Sequence, residues 1–298
     1  MYKKISMFKL KFVILLVLLP TLLWAEQVNK QSVINRITDG ISNVFGGLTS
    51  FDGIKKADLE IETNDQKKES DFRASIISSL SENDKTYWLN QTNISDHNDR
   101  QTLNIGFIYR NLSSDNKWVS GVNFFYDHEF PKNHQRASVG LEIKSSPIEI
   151  NSNYYQRISG NKTVGTDTER AMDGVDAEIG LQVPYMPSSK LFFTGYEWDG
   201  VDYDVKSGNK ISLRVRPTAA LEIEVGAEDN DRQSDYKATA KITFTKTFGD
   251  SPERNSGLYI SDKMFEYQDM SGEVYEKVRR QNRIVKTVSG TVTIARGT

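Results

Sequence analysis

One pattern limits what this chain can fold into: apolar and polar residues trade places every second position, in run after run, across nearly two hundred residues. In 120–144, SGVNFFYDHEFPKNHQRASVGLEIK, the residues Val122, Phe124 and Tyr126, with Trp118 just before, share one face of an extended chain, and Gly121, Asn123 and Asp127 share the other. Beyond Pro131, Val139, Leu141 and Ile143 oppose Arg136, Ser138, Gly140 and Glu142, which makes a hairpin with one greasy and one wet side. A half-buried sandwich, a ligand-binding barrel and a membrane barrel all give this local pattern.

Similar runs lie at 57–63, 72–80, 85–94, 102–112, 148–158, 174–183, 190–199, 210–216, 221–228 and 237–248. With the opening hairpin they predict about twelve strands, an even number as in single-chain outer-membrane barrels. The runs at 85–94 and 190–199 alternate poorly, and their faces are not assigned. Between strands, SEN, SSDN, SSP, MPSS and RPT read as tight turns, whereas 95–100, 159–170 and 199–208 read as longer, more charged loops. Short turns at one end and long loops at the other are expected of an outer-membrane barrel, and a sandwich gives no reason for them. The wet face carries Arg136, Glu142, Glu149, Asp176, Arg214, Arg216, Glu222 and Lys241, which a dry sandwich core would not tolerate. Gly106, Gly121, Gly140, Gly180 and Gly226 share that face, either bending strands or leaving room inside. The fold predicted is all-β, a closed antiparallel transmembrane β-barrel with a short helical or extended linker in its lumen.

The ends fit this compartment. Residues 1–25 have Lys3, Lys4, Lys9 and Lys11 ahead of an apolar stretch and Ala25, the form of a cleaved secretory signal peptide. Removing them takes the formal charge from −2 to −6, which points away from nucleic acid. The chain has no cysteine and three histidines, so neither disulfides nor a metal site nor any cofactor is expected. No later apolar run is long enough for a membrane helix, so a membrane-embedded form must be a barrel.

Several segments, taken in order, resemble the β-domain of inverse autotransporters, the intimin and invasin family. They are RQTLNIGFIYR with Arg110; KWVSGVNFFYDHEF with Trp118, Gly121, Asn123, Phe125, Tyr126 and Asp127; and NHQRASVGLEI with His134, Arg136, Gly140 and Glu142. INSNYYQRISG follows with Asn153 and Tyr155, then ERAMDGVDAEIGLQVPYMPSSK with Arg170, Gly174, Asp176 and Pro184, then GYEWDG with Tyr196 and Glu197. The resemblance covers about residues 43–287. It implies an outer-membrane anchor that exports a C-terminal passenger, usually an adhesin or invasin, through its own lumen.

That reading divides the chain into a signal peptide (1–25), a short periplasmic segment (26–56), the barrel (57–248), a linker through the lumen (249–287) and a short tail (288–298) with no passenger domain. Residues 33–45, VINRITDGISNVF, suit either a short amphipathic helix capping the periplasmic mouth, with Ile34, Ile37, Ile41 and Val44 on one side, or a disordered leader. In the linker, Met270, Val274 and Val278 recur at helical spacing, and Arg279, Arg280 and Arg283 are positioned to meet lumen carboxylates such as Glu222 and Glu224. Expected partners are outer-membrane lipids and lipopolysaccharide, periplasmic chaperones, and the barrel assembly machinery, which would read the final strand KATAKITFTKTF. Contact with a host or neighbouring cell is implied by the family alone.

Two other functions stay open, a stand-alone porin and a barrel hydrolase. Asp127, His128, His134 and Ser138 have a triad's composition near one hairpin tip, but Asp127 and His128 point to opposite faces. No catalytic residue is expected. The acidic stretches 96–99 and 199–204 lack the spacing of a calcium loop. Tyr109, Trp118, Phe124, Tyr126, Phe130 and Tyr154 suit an interfacial girdle or cross-strand pairs.

Overall fold

The computed structural model describes residues 53–65, 70–97, 100–199, 205–231 and 235–289. The proposed signal peptide, the expected helix at 33–45 and the end of the tail lie outside these residues, as does part of each acidic stretch.

Alternation becomes strand wherever it was found. The chain forms β1 (Ile54–Asn64), β2 (Asp71–Asn83), β3 (Thr86–His97), β4 (Arg100–Leu112), β5 (Val119–Phe130), β6 (His134–Lys144) and β7 (Ile148–Arg157). A small hairpin, β8 (Lys162–Val164) and β9 (Asp167–Ala171), interrupts the series. It resumes with β10 (Asp173–Val183), β11 (Met186–Asp199), β12 (Val205–Thr218), β13 (Leu221–Asn230) and β14 (Lys237–Thr247), and β15 (Lys286–Ser289) comes last. Each barrel strand pairs antiparallel with its neighbour, and β1 closes the ring on β14 from Lys56↔Thr247 to Asn64↔Thr239. The barrel therefore has twelve strands and no free edge.

The two faces are inverted relative to a water-soluble protein. On β6, Val139, Leu141 and Ile143 are about half exposed on the outside, while His134, Arg136, Ser138 and Glu142 are buried within. Only a lipid surround makes that arrangement favourable. No helix of the described residues is long and apolar enough to cross a membrane; the strands do so.

The strands run further than the alternation suggests. The expected loop 95–100 is mostly strand, since β3 reaches His97 and β4 starts at Arg100. MPSS and RPT are also strand, and the turns there fall at 184–185 and 219–220, with Tyr185 at φ +63°. The two poorly alternating runs have clear faces: Leu89, Gln91 and Asn93 of β3, and Phe192 and Trp198 of β11, point inward. The connections 84–85, 113–118, 145–147, 184–185 and 219–220 lie at one end, called here the turn end. The β8–β9 hairpin lies at the other, the loop end, where 98–99 and 131–133 are equally short, so brevity is not confined to one end as the sequence suggested.

Candidate functional site in the barrel lumen

From Thr247 at the turn end, the chain crosses the mouth and enters the lumen at Met270, whose amide donates to Asn116 O at 2.8 Å. It leaves at the loop end, where Lys286–Ser289 pairs with Ala171–Thr168 and adds a third strand to the β8–β9 hairpin. Residues 270–286 thus run the length of the barrel.

Of the helical and extended forms expected of the linker, the extended one prevails. One 3₁₀ turn, Ser271–Tyr275, is followed by extended chain. It fits because Gly272 sits against the backbone of Glu253, where a Cβ would lie 2.0 Å from the carbonyl oxygen. Met270, Val274, Tyr275 and Val278 bury themselves against Ile77, Leu89, Ile108, Leu112, Val119 and Phe125 of the wall, so one side of this end of the lumen is apolar, while Arg216 pairs with Glu222, Glu273 and Glu276 on the other. The charged residues expected on the inner face lie there too, and the apolar patch adds to them.

An extended segment inside a barrel has no neighbouring strand, so its backbone polar groups need side-chain partners. The wall supplies them. Arg110 donates to Val274 O and, at 2.6 Å, to Glu276 O. Gln91 accepts from Val278 N at 2.9 Å, and Asn153 donates to Arg279 O at 3.0 Å. Arg136 donates to Gln281 O at 2.6 Å, Tyr155 accepts from Gln281 N at 2.7 Å, and Asn104 donates to Asn282 O at 2.9 Å.

Adjacent residues of an extended chain point to opposite sides. Arg279 therefore reaches Glu178 (2.9 Å) and Glu224 (3.2 Å), while Arg280 forks onto Asp127 (2.8 and 2.9 Å) and also donates to Ser138. Each guanidinium also lies on a ring, Arg279 at 4.0 Å from the Phe192 centroid and Arg280 at 4.3 Å from that of Phe125. Those rings lie across glycines on the neighbouring strands, Gly180 and Gly106, where a Cβ would come within 2.3 and 2.2 Å of ring carbons. The glycines make room, but for rings that hold the linker.

Of the carboxylates singled out from sequence, Glu224 meets Arg279. Glu222 instead takes Arg216 (2.8 Å) and Arg254 (3.4 Å), and Arg283 meets Asp71 (3.1 Å). Asp127 sits fully buried between Arg136 and Arg280, and Arg110 pairs with Glu142. Gly121 leaves room for the Glu142 carboxylate, Gly140 for Asn153 and Asn123, and Gly174 for Trp198. Tyr155 donates to Asp176 at 2.6 Å, and Tyr196 to Glu228 at 2.7 Å. Trp118, Tyr126 and Glu197 fall on the outer parity, Pro184 is in a turn, and Arg170 pairs with Thr287 through the backbone. Sequence reading missed Glu178, Arg254, Glu276 and Phe192; a glycine directly across from an aromatic residue is a usable signal only once the register is known.

The triad composition does not assemble. Asp127 is held by two arginines, His128 stacks on Phe130 outside the barrel, Ser138 accepts from Arg280, and His134 faces Glu169 at 3.1 Å. Ligand atoms of Glu129, His134 and Glu169 do lie within 4.8 Å of one another, a metal-like grouping. Cationic side chains already fill it: Arg100 reaches Glu169 at 2.6 and 2.7 Å and Glu129 at 2.9 Å, and Lys286 reaches Glu129. The hydrogen bonds from Arg100 pull the Glu169 carboxyl down to about 2, and burial lowers the Lys286 ammonium.

A twelve-stranded barrel threaded by its own C-terminal segment is a specific arrangement, and the sequence comparison agrees with it. Residues 24–282 match the family described as inverse autotransporter, beta-domain. The chain belongs to that family. This inverse autotransporter β-domain is 24% identical over 280 residues, 88% of its length, to the inverse autotransporter adhesin YeeJ of Escherichia coli K12, of which it spans 12%. It is 33% identical over 130 residues to a putative attaching and effacing protein homolog of the same organism, covering 40% of this chain and 44% of the relative. Its fold matches that of a membrane protein solved in work on in-meso crystallization, with a TM-score of 0.65 and 15% identity over 79% of this chain and all of the other. The chain is an outer-membrane barrel anchor.

Proposed function

We propose that this barrel conducts its C-terminal segment from the periplasm to the cell surface and then keeps residues 270–286 in the lumen as a fixed plug. The observation that carries the reading is the threaded linker, whose backbone is met by the Asn116 carbonyl at one end, by wall side chains such as Gln91, Asn153 and Arg136 along its length, and by the backbone of Ala171 at the other end. The turn end faces the periplasm, because the long connection 158–172 with its β8–β9 hairpin lies at the other end, as long loops do on the outer side of such barrels. With an even number of strands, β14 ends there too, so a following segment reaches the surface only through the lumen.

The YeeJ adhesin supports surface display of an adhesive passenger as the purpose of the export. Signal-peptide cleavage, chaperone escort and recognition of β14 by the assembly machinery belong to the same proposal. An epitope tag placed after Thr298 tests it on intact cells. Antibody and protease reach the tag if the segment has crossed. A tag shielded until the outer membrane is broken, with a second tag at 159–162 exposed, overturns export while leaving the anchor.

A further inference from the structure

We propose that residues 257–268 form a strap seated in the periplasmic leaflet of the outer membrane, with its apolar side chains among lipid headgroups and the first acyl carbons. The inference rests on the membrane-anchor reading and the orientation just given.

Arg254 is pinned inside the mouth by Ala219 O (2.9 Å) and Glu222, and Asn255 donates to Asp269 O at 2.9 Å. Those contacts bring together the two ends of the intervening chain, a compact surface excursion of the Ω type. It is tied along the rim, not loose. Gly257 N donates to Arg216 O, Ser261 N to Tyr185 O, Tyr185 N to Met264 O, and Gln268 N to Ser146 Oγ, all between 2.8 and 2.9 Å.

Despite these ties, the strap turns its largest apolar side chains outward. Ile260 is 81% exposed, Leu258 65%, Met264 51% and Phe265 46%, with Tyr259 and Tyr267 also open. Only Asp262, Lys263 and Glu266 are charged. A rim loop facing water has no use for that composition, and contiguous exposed apolar surface marks an interaction site. What covers it follows from where it lies. Tyr267 packs on Trp118 with ring centroids 6.3 Å apart, and Trp118 has the outward parity of Val122 and Phe124 at the turn end of β5. Tyr185, which bonds the strap at Ser261 and Met264, is an exposed aromatic at the same rim. The patch is therefore continuous with the lipid-facing girdle, and tyrosine, phenylalanine and aliphatic side chains are what the interface accepts.

The absence of cysteine permits a direct test in the full-length barrel in nanodiscs. Single variants Ile260→Cys and Phe265→Cys carry an environment-sensitive fluorophore, with Val139→Cys as the lipid-facing control and Thr163→Cys as the aqueous one. Brominated phospholipid should quench labels at 260 and 265 at least half as strongly as at 139, and iodide should quench them several-fold less than at 163. If 260 and 265 instead behave like 163 while 139 is quenched by lipid, the strap faces water or a periplasmic protein, and the proposal fails with the barrel intact. If 139 also escapes lipid quenching, the membrane-anchor reading fails as well.

Discussion

At the turn end of the lumen, Met270, Val274 and Tyr275 press against Ile77, Leu89 and Ile108, leaving little space; at the loop end a cavity of about 720 Å³ remains beside the linker. Charged groups line that cavity, among them Glu62, Arg73, Lys206, Lys210, Glu228 and Lys241. Apolar contacts are non-directional, so they close the lumen without choosing which linker residue sits where. Ion pairs and forked arginines are directional, so Arg279 on Glu178 and Arg280 on Asp127 fix the register that the seal leaves free. The apolar contacts provide the barrier, and the ion pairs, which run from Arg216 on Glu273 at the turn end to Arg280 on Asp127 in the middle, provide the position.

The largest effect should come from removing the linker. Deleting residues 250–298 is expected to turn a closed pore into a steadily conducting one in planar bilayers, with conductance several-fold above the full chain. Unchanged conductance would mean that something other than this segment closes the lumen.

Next in size is Asp127→Ala, which leaves Arg136 and Arg280 buried without their shared carboxylate. Stability in detergent should fall by about 3–5 kcal/mol, as for a buried pair broken on one side. Adding Arg280→Met to Asp127→Ala should recover part of the loss. If the single variant unfolds like the parent in urea, the middle of the lumen does not hold the register.

On the apolar side, Val274→Ala removes two methyl-sized groups from a fully buried site and should cost about 1–2 kcal/mol with no dependence on salt. A salt-dependent loss would contradict an apolar seal.

The smallest effect is expected at the loop end, where Glu169→Gln weakens the attachment of the β8–β9 hairpin to Arg100 by less than about 1 kcal/mol, and less still at high salt. The pH dependence has a definite sign. Because the folded carboxyl is held down to about 2, its contribution is full above the ordinary glutamate value, near 4.5, and is lost as pH falls from there toward 2. Hydrogen exchange at β9 and β15 should therefore be constant from neutral pH to about 4.5 once intrinsic rates are corrected, and lose protection below it. In Glu169→Gln that acid step should shrink.

Strand count and most faces were legible in the sequence because a strand's alternation is local. β3 and β11 were not, since both of their faces carry apolar residues: Trp88 and Ile94 go to lipid while Leu89 goes to the seal, and Phe193 goes to lipid while Phe192 goes under Arg279. The linker stayed open between helix and extended chain for a related reason. A four-residue interval such as Val274 to Val278 fits both the 3.6 period of a helix and the period of two, and isolated spacing cannot separate them. Extended chain prevails beyond Tyr275 because Gln91, Asn153, Arg136 and Asn104 take the backbone groups that a helix would pair internally.

The sequence by itself determined a closed barrel with lipid on one parity and a charged interior on the other, because two-residue alternation and short turns act over a few residues at a time. Only the tertiary structure decided which acid meets which base. Arg280 and Asp127 are 153 residues apart, and Lys56 and Glu276 are 220 apart. Such pairs depend on the register of twelve strands and on the path of one segment through them, and no local pattern encodes either.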